Sequence, residues 1–149
     1  MEMNFQIEKL ELEELKAFLH LQSDAFPDFK SDKRLNMLAE KWLANAEFSV
    51  CRDDNRTIIG MIIFYANRPE EGEVYIPHVY VRAEYRRRRV FYSMLQLIDI
   101  YVRECGFRTI RLEVKKNNEI AMIAYSHYGF IPMEYESDSY YMQKSLVSR

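Results

Sequence analysis

Glycine, proline and cysteine are scarce in this sequence of 149 residues, which has four, four and two of them. Two cysteines, Cys51 and Cys105, cannot form a disulfide framework and lack metal-binding spacing, so we predict reduced thiols. Cys105 is expected to be packed as a small hydrophobic residue at the end of a helix. The three histidines, His20, His78 and His127, are scattered along the chain, and we predict no metal site.

Long apolar runs and a positive charge excess are also missing. No uninterrupted apolar stretch approaches the roughly 20 residues that cross a bilayer, and the opening MEMNFQIEKL lacks the basic flank and apolar centre of a signal peptide. The formal net charge is -2, whereas nucleic-acid-binding domains usually carry a positive excess. We therefore expect a cytoplasmic protein that binds neither membrane nor nucleic acid.

The length and pattern that are present predict one domain over residues 1–149. Four segments have helical spacing of apolar residues: 11–24, the segment capped by Ser31, 88–105 and 119–127. Strand patterns occupy 4–10, 47–52, 57–67, 73–81, 109–114 and a final hairpin of IPMEYES and SYYMQKSL. The helix after strand 73–81 predicts a parallel pair there. Pro77 cannot donate to a ladder, so we expect that strand to be bulged or unpaired near it.

The most unusual stretch is VRAEYRRRRVFYSML, in which four arginines precede an apolar helix. A strand, a short loop and a helix N-terminus together bind anions, because unpaired N–H groups and the helix dipole favour negative charge. Arginines add bidentate contacts to phosphate oxygens. Three interpretations of the stretch are open: a loop for one phosphorylated cofactor, a solvated helix start, or a patch that binds nucleic acid. The negative net charge disfavours the nucleic-acid patch.

Two motifs resemble those of the GCN5-related N-acetyltransferases (GNATs). The first is V-x-P-x-Y-(R/Q)-x-x-G-x-(G/A), which Val81, Tyr85 and Arg86 match. The second is V-x-x-x-N-x-x-A-x-x-x-Y-x-x-x-G-F, matched within LEVKKNNEIAMIAYSHYGF by Val114, Asn118, Ala121, Tyr125, Gly129 and Phe130. The closing YYMQKSL is also similar to the last strand of the family, so the resemblance covers nearly the whole chain.

The resemblance implies a fold of the α/β (α+β) class, with a mixed, mostly antiparallel sheet of six to seven strands, about four helices and splayed central strands. It implies transfer of an acetyl group from acetyl-coenzyme A directly to a primary amine of a small molecule or peptide, without a metal. A homodimer is one possible assembly. The alternatives are a binding or sensing module with a weakened cofactor site, and an enzyme that uses another acyl-coenzyme A.

The same resemblance assigns the pyrophosphate loop to Arg86, Arg87, Arg88, Arg89, Val90 and Phe91. It implies that pantetheine amides pair with the backbone of Val79, Tyr80 and Val81. Arg89 and Phe91 depart from the motif, because they stand where the family has glycine and a small residue. Arg89 would still donate its N–H if its φ is helical and its side chain swings out; it could then grip a phosphate or block the loop. Phe91 is acceptable if it faces the core.

Catalytic roles follow less directly. The resemblance makes Tyr125 the candidate general acid for the leaving thiolate; the alternative is a core tyrosine with a satisfied hydroxyl. Asn118 would bind the cofactor or cap the last helix, a task that Asn117 could share. For the base we favour Glu73, directly or through water, because a regular strand gives it the parity of Val79. His78 has a suitable pKa range but the opposite parity unless a bulge intervenes.

Acceptor specificity in such proteins comes largely from the loop between the first two helices and from the last hairpin, here SDAFPDFKSDK and EYESDSYY. Glu134, Glu136 and Asp138 alternate, so in an extended strand they share one face. They would favour a cationic acceptor, or they would simply keep a sheet edge solvated.

Overall fold

The computed structural model describes residues 2–146, apart from the side chain of Tyr135. Within these residues the four α-helices are α1 (Leu12–His20), α2 (Asp32–Asn45), α3 (Val90–Glu104) and α4 (Glu119–His127). The seven strands are β1 (Asn4–Ile7), β2 (Glu47–Arg52), β3 (Ile58–Tyr65), β4 (Glu73–Val81), β5 (Thr109–Lys115), β6 (Ile131–Glu136) and β7 (Ser139–Ser145).

All seven strands form one sheet in the order β1-β2-β3-β4-β5-β7-β6. Only β4 and β5 pair in parallel, and α3 connects them; every other pairing is antiparallel. The predicted fold class, including the single parallel pair, is confirmed.

Local signals set most of the boundaries. The Ser31 hydroxyl accepts a hydrogen bond from the Arg34 N–H at 3.3 Å and caps α2, as its sequence position predicts. Helix α1 ends four residues before the predicted limit. The N–H groups of Gln22 and Ser23 bond to carbonyls three residues back, at 3.0 and 3.1 Å, so the last turn tightens and the helix stops.

The sheet separates two apolar cores. Helices α1 and α2 cover β2, β3 and the neighbouring part of β4, around Leu15, Trp42 and Ile63. Helices α3 and α4 cover the opposite face, around Leu95 and Met142. Within the described residues, no helix covers the α1/α2-side face of β5, β7 and β6, which leaves that part of the sheet open.

Strand β4 bulges at Pro77, as predicted. Tyr75 lies opposite Tyr65 and His78 lies opposite Ile63, so three steps along β4 match two steps along β3. Pairing with β5 ends at Ile76. The extra residue reverses the alternation of side chains beyond it.

An ion-pair cluster ties α1 to the first strands. The guanidinium of Arg52, a residue only 5% exposed, donates to Glu8 at 2.8 Å and to Glu14 at 2.7 Å. It also donates to the carbonyl oxygen of Arg56 at 2.7 Å. The hydrogen bond from Arg52 lowers the pKa of Glu14 below its ordinary value.

We expect Arg52→Met to lower the free energy of unfolding in urea by about 2–3 kcal/mol. This loss is smaller than the 3–5 kcal/mol that removing one partner of a fully buried ion pair costs, because the Glu14 side chain is 40% exposed. The depressed pKa of Glu14 means that its share of stability is present above pH 4.5, its ordinary pKa, and is lost as the pH falls through the folded value. The difference between wild type and variant should therefore shrink in acid.

The matched control is Arg34→Met. It removes an ion pair whose partners Arg34 and Asp28 are 71% and 69% exposed, so it should cost no more than about 1 kcal/mol. Equal losses of unfolding free energy in the two variants would show that the Arg52 cluster stabilises the protein no more than an exposed ion pair does.

Candidate active site where the central strands separate

The opening between β4 and β5 begins at the bulge. Beyond Ile76, β4 pairs with β3 but no longer with β5, although both strands are described throughout. The edge of residues 77–81 that faces β5 therefore has backbone groups without a strand partner. Val79 and Val81 also direct their side chains into the α3-side core. Their side chains serve the core while their backbone lines the opening.

The loop after β4 presents a run of free backbone donors. A 3-10 turn, Ala83–Tyr85, is followed by Arg87 and Arg89 at φ values of 64° and 63°. Within the described part of the chain, the N–H groups of residues 87–92 have no hydrogen-bond acceptor. Concave runs of backbone N–H groups at a helix N-terminus bind phosphate-like anions.

Arg89 adopts a left-handed conformation, so the helical φ expected as the condition for its N–H to be free is not the one it has. Glycine is usual here because a Cβ in this region costs about 1–2 kcal/mol. The Arg89 guanidinium carbon lies 5.4 Å from the centroid of the Tyr92 ring. The exposed side chain therefore rests on the first turn of α3, and the cation–π contact offsets part of the strain.

Arg86 and Arg88 contact groups within the strand and the loop. Arg86 Nε donates to the Val81 carbonyl at 2.9 Å, and its guanidinium lies 5.4 Å from the Tyr80 ring. The Arg88 guanidinium lies 5.6 Å from the Tyr85 ring. All four arginines are exposed, so the loop that carries the free N–H groups also carries four positive charges.

The start of α3 is fixed closely against the sheet. A Cβ on Gly60 would lie 3.1 Å from a Val90 methyl and 3.2 Å from the Met94 methyl, so this close approach favours glycine. The buried Ser49 hydroxyl donates to the Met94 carbonyl at 2.9 Å. These contacts hold the helix N-terminus, and hence the loop, in place.

Phe91 occupies the small position of the motif without a conflict. Its ring packs against the α3-side core and lies 5.5 Å from the Tyr125 ring. The condition set by the sequence, that Phe91 faces the core, is met.

Tyr125 and Asn118 come from α4, on the other side of the opening. Tyr125 is half-buried between Phe91 and Phe130, and burial raises its pKa to about 12. Its hydroxyl has no hydrogen-bond partner among the described residues. Asn118 accepts from the Ala121 N–H at 3.2 Å, which makes it, rather than Asn117, the cap of α4.

Comparison with known proteins identifies the fold and the family together. The profile of the Acetyltransferase (GNAT) family matches residues 15–130. The chain belongs to the GNAT family. No curated protein matches the sequence, so the remaining comparisons are with solved structures.

Those structures share the GNAT fold over nearly their whole length. PaiA N-acetyltransferase from Thermoplasma acidophilum, solved with coenzyme A, is 17% identical with a TM-score of 0.74, covering 95% of this chain and 99% of that one. Ard1 from Thermoplasma volcanium is 19% identical with a TM-score of 0.75, covering 97% and 99%. Mutant forms of the spermidine/spermine N-acetyltransferase SpeG from Vibrio cholerae are 15% identical with a TM-score of 0.72, covering 97% and 95%.

In this GNAT domain Glu73 lies away from the opening. It is the first residue of β4, opposite Thr109 in the part of the sheet where β4 and β5 still pair. Four steps along the strand lead from it to Pro77, about 13 Å at roughly 3.3 Å per step. It lines a surface recess with Lys41 and Tyr65. The structure therefore does not bring Glu73 together with Tyr125 and the arginine loop.

The bulge also changes which residues share a face with Glu73. The regular alternation that grouped Glu73 with Val79 is wrong. Beyond Pro77, His78 and Tyr80 lie on the α1/α2 side, while Val79 lies on the α3 side. His78 is only 7% exposed, and burial lowers its pKa to about 4. The proline inside the strand was the signal that could have shown this.

The acidic row on the last hairpin is partly neutralised. Glu134 pairs with Arg111 at 2.7 Å, and Asp138 pairs with Lys115 at 3.4 Å. Glu136 has no ion-pair partner in the described part of the chain. The row therefore offers a cationic acceptor less free negative charge than the sequence suggests.

Three further sequence expectations concern smaller features. Cys105 is exposed, so its predicted packing is wrong; the last turn of α3 leaves it outside the core. No described helix is both long and apolar enough to span a membrane. Within residues 2–146 no three or more potential metal-ligating side chains come together.

Arg89→Gly should raise the free energy of unfolding by about 0.5–1 kcal/mol, measured in urea. Glycine adopts a positive φ without the steric cost of a Cβ, and the lost contact with Tyr92 removes only part of that gain.

The control for this variant is Arg88→Gly in the same loop. Arg88 is not among the described residues with positive φ, so glycine there should lower stability by about 0.5–1 kcal/mol. A loss of stability in both variants would contradict the assigned strain at Arg89.

Proposed function

We propose that this chain is an acetyl-coenzyme A-dependent N-acetyltransferase, which passes the acetyl group directly to a primary amine of a small molecule or peptide. The observation that carries the proposal is the run of free N–H groups over residues 87–92, in a loop that carries four arginines, at the end of a strand that has separated from its neighbour. The presence of coenzyme A in the related PaiA structure supports it.

The residues present fit the cofactor as a substrate. The free N–H groups and the arginines of the same loop would hold the pyrophosphate. The pantetheine amides would pair with the backbone of Val79 and with the N–H of Val81, because Tyr80 pairs with Met61 of β3 and the Val81 carbonyl already accepts from Arg86 Nε. The side-chain amide of Asn118 caps α4 with its oxygen, and its NH2 group remains able to donate to the cofactor.

The transfer itself needs few protein groups. The amine lone pair attacks the thioester carbonyl carbon, a C–N bond forms and the carbonyl oxygen gains charge. The C–S bond then breaks, its electron pair goes to sulfur, and the proton on nitrogen is lost to water or to a base. A carboxylate such as Glu73 could take that proton only through intervening water. Holding the reactants in place supplies much of the rate.

Tyr125 acts on the leaving sulfur. Its pKa of about 12 lies above the roughly 8.5 of an ordinary thiol, so complete proton transfer from the phenol to the thiolate is uphill. The hydroxyl therefore stabilises the developing thiolate by donating a hydrogen bond, and water supplies the final proton.

The second candidate function is a binding or sensing module with the same fold. The observation that favours it is Arg89 at the usual glycine position, with the strain described above. An enzyme specific for a longer acyl-coenzyme A is the third alternative, which competition among acyl chain lengths tests.

Acetyl-coenzyme A should bind in calorimetry with an affinity in the micromolar to millimolar range usual for enzyme substrates, more weakly as salt rises. A mixed panel of primary amines should release free thiol from it.

The Arg89 side chain rests on Tyr92, so it does not cover the loop and its main effect on binding is its positive charge. Arg89→Gly should therefore weaken acetyl-coenzyme A binding by about two- to fivefold. A gain in affinity would show obstruction, and no heat at millimolar cofactor would favour the binding module.

Tyr125→Phe should lower kcat by about tenfold or more, because one hydrogen bond to a developing charge is lost, with acetyl-coenzyme A affinity unchanged. The control is Tyr128→Phe, in the same aromatic cluster but stacked on Tyr92, which should keep kcat within about twofold. Equal rates in wild type and Tyr125→Phe would remove Tyr125 from the chemistry.

A further inference from the structure

His78 is a buried titratable residue that lies at the opening between the strands. It follows Pro77 directly in β4, on the α1/α2 side. The loop between α1 and α2 packs over it: its ring centroid lies 4.7 Å from that of Phe26 and 5.4 Å from that of Phe29. The Trp42 ring stacks on it at 5.7 Å. The imidazole therefore sits in an aromatic, largely dry site.

Hydrogen bonding fixes which ring nitrogen of His78 carries the proton. Gln22 Nε2 donates to the Phe18 carbonyl at 3.0 Å, and a carbonyl can only accept. The Gln22 side-chain oxygen is therefore the atom that faces His78 Nε2, at 2.7 Å. Since that oxygen also only accepts, Nε2 bears the proton and Nδ1 keeps a free lone pair.

The free lone pair is not fully enclosed by the protein. His78 Nδ1 has no hydrogen-bond partner among the described residues. In that same part of the chain no side-chain nitrogen or oxygen is both buried and unpartnered. Nδ1 is therefore not completely buried, although the residue as a whole is 7% exposed.

We propose that His78 Nδ1 accepts a hydrogen bond from the N–H of the acceptor amine and thereby orients the lone pair of that amine toward the thioester. Gln22 is the positioning residue that holds the His78 ring. This inference rests on the proposed acetyltransferase function. The imidazole does not take the proton, because burial keeps its pKa near 4; that proton leaves to water. The contribution of His78 is alignment, not base catalysis.

The surroundings also define the class of amine. Phe26 and Tyr80 are partly exposed beside His78, so they offer apolar contact to the carbon chain that carries the nitrogen. Positive charge already occupies this side, because the Arg82 guanidinium lies 5.7 Å from the centroid of the Phe18 ring. A second ammonium group would be repelled. The acceptor is therefore a primary monoamine on an apolar or aromatic carbon.

The test compares two substitutions that each keep one nitrogen position of the ring. His78→Asn places an amide atom where Nδ1 was, whereas His78→Gln reaches toward Gln22 and leaves nothing at Nδ1. We expect His78→Gln to lower kcat by about tenfold, the value of one hydrogen bond, with acetyl-coenzyme A affinity unchanged. His78→Asn should stay within about threefold of wild type. A folded His78→Gln variant with wild-type kcat would overturn the proposal.

Nitrogen NMR of 15N-histidine-labelled wild-type protein gives a readout that does not depend on turnover or on folding of a variant. We expect the Nε2-protonated neutral tautomer at pH 7, and a shift of the Nδ1 resonance on addition of 2-phenylethylamine. The opposite tautomer, or an Nδ1 resonance that saturating amine leaves unmoved, would overturn the role of His78 even if acetylation proceeds. Failure of the proposed function would appear separately, as no binding of acetyl-coenzyme A.

A matched pair of amines tests the acceptor class. Butylamine and 1,4-diaminobutane differ by one cationic group, and we expect kcat/KM to be about tenfold higher for butylamine, as for a charge repulsion of about 1.4 kcal/mol. A preference for the diamine would contradict this class.

Discussion

The loss of strand pairing at Pro77 is the constraint on which the site depends. Proline has no N–H to give to a ladder, and β4 bulges there and separates from β5. The separation leaves a backbone edge open without breaking the sheet, because β3 still pairs with β4 and β7 pairs along the whole of β5. The same extra residue places Val79 on the α3 side and His78 on the α1/α2 side. One residue therefore creates the opening and decides which side chains face it.

The arginine loop stores strain at the end of that opening. Two arginines hold positive φ, a conformation that persists only where the surroundings determine it. Here the surroundings are the close contact of Gly60 with α3, the bond from Ser49 to the Met94 carbonyl, and the ring contacts of the arginines. The result is a row of backbone N–H groups at the start of α3 that have no hydrogen-bond acceptor among the described residues. Such preorganisation is what binding a diphosphate requires.

Much of the fold could be predicted from the sequence, because apolar period, turn residues and caps are local properties. Strand β4, helix α4 and the Ser31 cap fall where the pattern indicates. The side of β4 on which His78 lies could be predicted only conditionally, because Pro77 signals a bulge but does not fix its place in the register. The φ of Arg89 is hidden, since an arginine carries no signal for a left-handed conformation. The ion pairs that neutralise Glu134 and Asp138 come from β5, which the sequence does not place beside them.

In the candidate site, the charged side chains and the neutral side chains lie in different places. Burial moves two pKa values in opposite directions, Tyr125 upward and His78 downward, and both shifts have the same consequence because desolvation always disfavours the charged form. At neutral pH both groups are uncharged. The positive charge lies instead on the arginines of the loop, where phosphates would bind. If the proposed function holds, a site built this way would bind its cofactor by electrostatics and would act on the reacting atoms through oriented neutral hydrogen bonds. Its chemistry should therefore depend on position more than on proton transfer to the protein.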